Sequence, residues 1–295
     1  MPIPYYHVDV FSPEPLAGNG LIVFTETTGF TTEHMQLLTA EMRQFESIFL
    51  RPVNPHTVRA RIFTCEEELN FAGHPVLGAA ATLHDLLQPQ DQQAKWTFEL
   101  NQKTVHVVTD RKGKIYEGVM NQGKAQFGKT LNAVETELLL DHIGAKPEDL
   151  YPGLYPTVVS TGLSYLVVPL RDNHFKAKIG APGLSEKLHS FGTQFIGLLD
   201  IATLSIRTGN NDGTVEDIAT GSLAGPAGAF LVKHGLAQPE KVIRIEQGHN
   251  LGRKSELYVE LKRTSNAQDV EDMDVIVSGS VSKIAKGYLE DGILG

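Results

Sequence analysis

The chain has 295 residues, 41% hydrophobic and 21% charged, with 26 Lys and Arg against 35 Asp and Glu for a formal net charge of −9. Such a length predicts two domains, each able to bury its own core, and the acidic balance argues against nucleic acid and anionic membrane surfaces as partners. Cys65 is the single cysteine, so no intrachain disulfide is expected and a reducing, cytoplasmic location fits; the N-terminal stretch lacks a basic n-region, and no apolar run approaches the roughly 18 residues of a membrane span.

Residues 5–11 alternate as a strand, and 20–24 read as a second after the turn at Pro13-Glu14-Pro15. Between them Ala17-Gly18-Asn19-Gly20 is a tight turn in which Asn19 either caps the bend or points into a site. Residues 32–42 carry Met35, Leu38 and Met42 at helical spacing, with Thr32 as N-cap and Glu33 in the first turn. In 44–50 one carboxylate, Glu46, interrupts an apolar strand-like run. Two readings stay open there. Desolvation between apolar neighbours raises its pKa, as a general acid or base on carbon requires, or the pleat places it on a wet face. Alternation puts Glu46 with Ile48, opposite Phe45, Ser47 and Phe49, and does not decide.

Residues 58–64 alternate again, and the three glutamates 66–68 read as a solvated turn. The stretch Ala72-Gly73-His74-Pro75-Val76-Leu77-Gly78-Ala79-Ala80-Ala81-Thr82-Leu83 follows, a loop running into a helix that is small and apolar on every side. A helix without a polar face must be buried all round, with neighbouring strands about it, and its N-terminal N–H groups form a ready site for an anion. Strands follow at 95–100, 104–109 and 114–120, with a hairpin turn at 110–113. Asn132 with Glu135 three positions on, then an apolar run stopping at Gly144, predicts a capped helix, read as a bridge between halves.

The second half repeats this order: a strand pair in 157–168, a helix in 182–191, a strand at 204–207, a loop over 214–222, and strands at 242–246, 257–263 and 275–281. Residues 220–231 align without gaps with 72–83, Gly221 standing 221 − 73 = 148 positions after Gly73. Pro75 and Pro226 fit a helix start, Pro226 lying late for that role. The loop places Glu216 and Asp217 ahead of Gly221, with Thr220 and Ser222 as hydroxyl donors. Ser222 reads as an N-cap, and Asp217 either as a turn residue or as the group that orients His74 across a cleft between domains. The expected organisation is an N-terminal domain at 1–130, a bridging helix at 131–150, a C-terminal domain at 151–280 and a segment at 281–295 packing back on the N-terminal domain. No zinc-site spacing, H-E-x-x-H, phosphate loop, G-x-G-x-x-G after a strand or G-x-S-x-G occurs. What remains is proton transfer at a site with neither metal nor cofactor.

Six short motifs in order, Tyr6-His7-Val8-Asp9-Val10-Phe11, Gly18-Asn19, Phe45-Glu46-Ser47, Gly73-His74-Pro75, Glu216-Asp217-Ile218-Ala219-Thr220-Gly221-Ser222 and Gln247-Gly248-His249-Asn250-Leu251-Gly252-Arg253, resemble the PhzF-like proteins. These are isomerases related to the phenazine-biosynthesis enzyme, with a diaminopimelate epimerase-like fold. The resemblance implies an α+β fold of two similar domains, each a barrel-like, mostly antiparallel sheet around a central buried helix. It implies that Glu46 moves a proton between carbons of a small anionic metabolite, a dihydro-hydroxyanthranilate in the phenazine enzyme. His74 and Asp217 would assist, and groups around Gly73, Gly221 and Ser222 would hold the substrate. Asn19, Ser47 and Thr220, from the same motifs, complete the expected binding set. No metal or cofactor is implied, and the expected protein partner is a second copy of the chain. Related racemases use two cysteines, one before each loop glycine; Ala72 and Thr220 stand there, which excludes a two-thiol mechanism. Gly20 and Ile218 stand where many family members carry proline. A non-catalytic ligand-binding relative, and a lyase or epimerase using the same carboxylates, stay open as alternatives.

Overall fold

The computed structural model describes residues 2–172, 176–209, 215–264, 269–290 and 292–293. Thr214, which opens the second loop, lies outside them. The chain divides into two compact units: unit 1 is Met1–Asn121, Arg253–Glu256 and Ser278–Gly295, and unit 2 is Gln122–Gly252 and Leu257–Val277.

In unit 1 the elements run β1 (Ile3–Val10), β2 (Asn19–Phe24), α1 (Thr32–Met42), β3 (Glu46–Asn54), β4 (Thr57–Thr64), β5 (Glu68–Leu69), α2 (Gly73–Leu87), β6 (Gln93–Glu99), β7 (Thr104–Lys112) and β8 (Ile115–Lys124), the last ending in unit 2. β1–β2, β3–β4, β6–β7 and β7–β8 pair antiparallel, whereas β2–β3 and β4–β6 are parallel. The parallel pairs fall where α1 and α2 carry the chain over, since parallel neighbours need a crossover longer than a hairpin.

Helix α2 packs against β1, β2, β3, β6 and β7, and its residues from Gly73 to His84 are all buried. Gly78 lets the strands come close: a Cβ there would lie 2.5 Å from Leu21 Cδ2 and 2.9 Å from Val10 Cγ2. On the other side of the same strands, Phe24, Phe49 and Phe63 form a second cluster with Met35 and Leu38 of α1, Phe24 and Phe49 stacking with centroids 4.7 Å apart. These strands are therefore covered on both faces, which produces apolar runs in place of alternation. That is why periodicity could not orient Glu46: every residue from Glu46 to Leu50 is buried, and no wet face exists there.

Two local expectations are corrected. The N-cap of α1 is Thr31, one residue earlier than Thr32, in a reciprocal capping box with His34. The glutamates at 66–68 are not all a solvated turn, since Glu68 forms β5 and accepts from Arg61 Nε at 2.8 Å.

Unit 2 contains β9 (Gln126–Thr130), α3 (Ala133–Ile143), β10 (Thr157–Ser160), β11 (Ser164–Leu170), α4 (Leu184–Ser190), β12 (Phe195–Asp200), β13 (Ser205–Arg207), α5 (Gly221–Lys233), β14 (Ile243–Gln247), most of β15 (Ser255–Lys262) and the start of β16 (Asp274–Leu289). Its strands lie in the order β9-β10-β11-β12-β13-β14-β15. Again β10–β11 and β12–β13 are antiparallel while β11–β12 and β13–β14 are parallel. The internal repeat seen in the sequence is thus also a repeat of strand direction. From Ser278 onward β16 belongs to unit 1, where Val281 to Leu289 pair antiparallel with β1. β9 carries no distinct sequence signal; β12, a short apolar run at 195–199, was missed.

Helix α5 is buried from Gly221 to Val232. Gly228 faces Val259, and a Cβ there would lie 2.5 Å from Val259 Cγ1. Pro226 is inside the helix rather than at its start, where it removes the bond its amide would give to the Ser222 carbonyl. Helix α3 has the predicted caps, Asn132 with Glu135 and Gly144 at φ 70°. It lies within unit 2: Leu139, Leu140 and Ile143 join Val158, Leu166 and Val168 in one core cluster. Among the described residues no helix is long and apolar enough to cross a membrane.

Two outcomes follow from this packing. Gly228→Val overfills the α5–β15 contact and is expected to cost about 1–3 kcal/mol in urea unfolding, whereas an exposed glycine such as Gly113 has open space around it. Tyr116 on β8 is buried and donates to Asp85 Oδ1 at 2.8 Å; burial first, then Asp85, pushes its phenol from 10.0 up to about 12. The unfolded chain loses that proton near pH 10 while the folded protein keeps it. Its stabilising contribution is therefore full below pH 10 and lost as pH rises toward about 12. Tyr116→Phe should flatten the alkaline limb of a melting-temperature profile over that window.

Candidate active site

Glu46 opens β3 and His74 is the second residue of α2. Register explains their meeting. Glu46 lies opposite Thr64, the last residue of β4, and the chain passes from there through β5 into the first turn of α2. His74 Nδ1 stands 2.9 Å from Glu46 Oε2, with side chains 5% and 6% exposed. Glu46 Oε2 has no hydrogen-bond partner among the described residues, so the approach is a close electrostatic contact. Ser47 Oγ is buried without a hydrogen-bond partner among the described residues. Asn19 opens β2 and is fully buried. Gly73 begins α2, whose N-cap residue Ala72 supplies no side-chain bond, so no side chain caps the first turn.

The turn that carries Asn19 is held from β1. Asp9 accepts from Leu16 N and from Arg253 Nη2, each at 2.7 Å, and Arg253 Nε donates to the Gly18 carbonyl at 2.8 Å. Nearby on β1, burial pushes the His7 imidazole below its ordinary value; Arg253 adds to this, while Asp9 and Gln44 oppose it.

In unit 2, Asp217 is buried and accepts from the Thr220 hydroxyl at its Oδ2. Gln247 Nε2 donates to the Asp217 carbonyl at 2.8 Å and to Thr220 Oγ1 at 3.0 Å, and its Oε1 accepts from Thr220 N at 2.8 Å. Just before Asp217, Glu216 receives the Arg207 fork at 2.7 and 2.8 Å and Asn250 Nδ2 at 2.7 Å. Thr220 is the N-cap residue of α5 but makes no cap bond with its side chain, which is turned to Asp217 instead. Ser222 is not the N-cap expected of it. It lies in the first turn, its hydroxyl 2.8 Å from that of Tyr165. Gln122 Nε2 donates to the Gly221 carbonyl at 2.9 Å.

The expected residues therefore fall into two described groups, Asn19, Glu46, Ser47, Gly73 and His74 in unit 1, and Asp217, Thr220, Gly221 and Ser222 in unit 2. The acidic neighbour described for His74 is Glu46. Sequence reasoning missed Gln247, Tyr165, Gln122 and Arg207 as individual supports. Gln247 was detectable, because it stands in phase with the buried Ile243 and Ile245 of β14 and so breaks an apolar face with an amide. Tyr165 and Gln122 give no comparable signal.

A family model for the phenazine biosynthesis-like proteins, PhzC-PhzF, matches residues 8–287. The chain belongs to this family. It is 30% identical to the trans-2,3-dihydro-3-hydroxyanthranilate isomerase of Pseudomonas aeruginosa, over 97% of this chain and 99% of that one. It is 29% identical to the uncharacterized isomerase YddE of Escherichia coli, over 93% and 94% of the two chains. Among solved structures, the Predicted Epimerase PA4716 from Pseudomonas aeruginosa superposes with a TM-score of 0.87 at 42% identity, covering 97% of this chain and 99% of that one. A probable proline racemase from Agrobacterium radiobacter shares the fold at 12% identity and a TM-score of 0.65, over 99% and 95% of the two chains.

The Arg207–Glu216 pair yields a direct check on the second loop. Arg207→Leu removes the cation facing a largely buried carboxylate, with Asn250 still donating to it, and is expected to cost about 3 kcal/mol. The double change Arg207→Leu with Glu216→Leu should recover part of that loss, measured by denaturant unfolding.

Proposed function

We propose that the protein is a cofactor-independent isomerase that moves a proton on a small carboxylate-bearing metabolite, with Glu46 as the acid/base. One observation carries this reading: a carboxylate withdrawn from water, 2.9 Å from a buried imidazole, at the start of an uncapped helix. A positioned carboxylate can take a proton from one carbon and return it to another as the double bond shifts, so that one C–H bond breaks, one forms, and no redox change occurs. His74 holds Glu46 in place and polarises the substrate. In unit 2, Asp217 together with Thr220 is suited to orienting a substrate polar group.

The N–H groups at the starts of α2 and α5, around Gly73, Gly221 and Ser222, suit a substrate carboxylate, because each first turn offers donors that no side chain occupies and a partial positive charge. Asn19, Ser47 and Thr220 add neutral hydrogen-bonding groups that fix its orientation. With Ala72 and Thr220 before the two loop glycines and Cys65 exposed, the proton carrier is a carboxylate, not a thiol. The name of the Pseudomonas aeruginosa relative at 30% identity supplies the substrate class to try first, a cyclic hydroxylated amino acid carrying a ring double bond.

The test uses trans-2,3-dihydro-3-hydroxyanthranilate in D2O, followed by NMR. Wild-type protein should move the double bond and place deuterium, in whole or in part, on a product carbon. Glu46→Gln should reduce turnover by about 10²–10⁴-fold while ligand affinity changes little. Asp217→Asn should also be slow. A fully active Glu46→Gln enzyme would sink the proposal.

A further inference from the structure

We propose that the segment Gln247–Arg253 is a positioning element for this chemistry, Gln247 setting the Asp217–Thr220 turn of unit 2 and Arg253 setting the Ala17–Asn19 turn of unit 1. The inference rests on the functional reading above and adds two residues to it, neither of which touches substrate.

Gln247 is 2% exposed. A buried primary amide must satisfy both ends, and Gln247 uses both on the same turn: the nitrogen on the Asp217 carbonyl and Thr220 Oγ1, the oxygen on Thr220 N. The sense of the bonds matters. Because Thr220 Oγ1 accepts from the amide, its one hydrogen is directed to Asp217 Oδ2. A chain of fixed polarity, amide to hydroxyl to carboxylate, thereby orients Asp217 and gives it a charge-assisted hydrogen bond. Neither a hydrocarbon nor an ionised carboxylate at 247 can start that chain.

Six residues on, Arg253 does the corresponding work in unit 1. Its guanidinium binds Asp9 Oδ1 and the Gly18 carbonyl, and Asp9, 1% exposed, holds Leu16 N with its other oxygen. Leu16 has φ 67° and Gly18 φ 74°, and a leucine in the left-handed region persists only when its surroundings impose it. The restraint ends at the residue before Asn19. Gly248 at φ 80° and Gly252 at φ 69° turn the chain between the two anchors, a conformation that suits glycine. One seven-residue segment therefore fixes the polar turn of each unit.

The experiment compares Gln247→Leu, the isosteric Gln247→Glu, Arg253→Met and Arg253→Lys with wild type, by amide hydrogen exchange and by steady-state kinetics on trans-2,3-dihydro-3-hydroxyanthranilate. Gln247→Leu should speed exchange at Thr220 N–H at least tenfold, and Arg253→Met should do the same at Leu16 N–H, with core amides such as those of α2 unmoved. Each should lower kcat at least tenfold with KM changed less than threefold. Gln247→Glu should regain rate as pH falls, because protonation restores a donor at that position, whereas a merely structural role would leave the pH profile unmoved. Arg253→Lys should rescue part of the Met variant's loss. Unchanged exchange at Thr220 in both Gln247 variants overturns the proposal, as does wild-type kcat in a variant whose Thr220 exchange has risen. Should the wild-type enzyme itself leave the probe unchanged, that result counts against the substrate reading, and the exchange data alone decide the positioning role.

Discussion

Helices α2 and α5 have no polar side, and the rest of each unit is arranged to keep their flanks from water. Close packing of strands on them requires small residues at the contact, which Gly78 and Gly228 supply. Burying a helix on all sides has a second consequence. Its flanks are fully used for packing, so its termini are where polar chemistry can be offered, and neither α2 nor α5 spends a side chain on capping its first turn. Together the packing requirement and the uncapped starts leave backbone donors in each unit, near Glu46 at the start of β3 in one and after the Asp217–Thr220 turn in the other.

Covering the strands on both faces creates the setting of Glu46. Phe24, Phe49 and Phe63 are claimed by α1 while Val8, Val10 and Leu21 are claimed by α2, so a carboxylate on β3 has no solvent-facing side to occupy. A buried carboxylate is costly unless a partner stands near it. His74 is that neighbour, delivered by the register that sets Glu46 against the end of β4. In the second unit the same scaffold is furnished differently. Asp217 is tied into hydroxyl and amide bonds, Glu216 beside it takes the Arg207 guanidinium, and Ser222 is paired with Tyr165. The two halves share strand directions and apolar helices and differ in the polar residues at the helix starts.

The buried helices could be read from residues 72–83 and 220–231, because a gapless repeat and an absence of polar side chains are properties of composition and order, and the α+β class came with the family resemblance. Caps whose partners lie three residues away were legible too, as at Asn132 and Glu135. Legibility failed where the partner is distant in sequence. Arg253 meets Asp9 across 244 positions, and Gln247 meets Thr220 across 27, so no local spacing announces either. It failed also for Pro226, which a local rule places at a helix start but which burial accommodates inside one, and for Ser222, whose hydroxyl was taken by a tyrosine 57 residues away.

By itself, the sequence determined which segments are apolar on every side and must be buried, that the pattern occurs twice, and that no thiol stands beside either loop glycine. Its short motifs in a fixed order also singled out Glu46, His74, Asp217 and their neighbours as candidates. Only the tertiary structure decided that Glu46 is buried and faces His74, that Thr220 turns to Asp217 in place of capping its helix, and that Gln247 and Arg253 hold the turns around them. The reason is physical. Burial periodicity is a local property that a strand covered on both faces erases, and the orientation of a buried polar group is set by whichever partner the register of distant strands brings within about 3 Å.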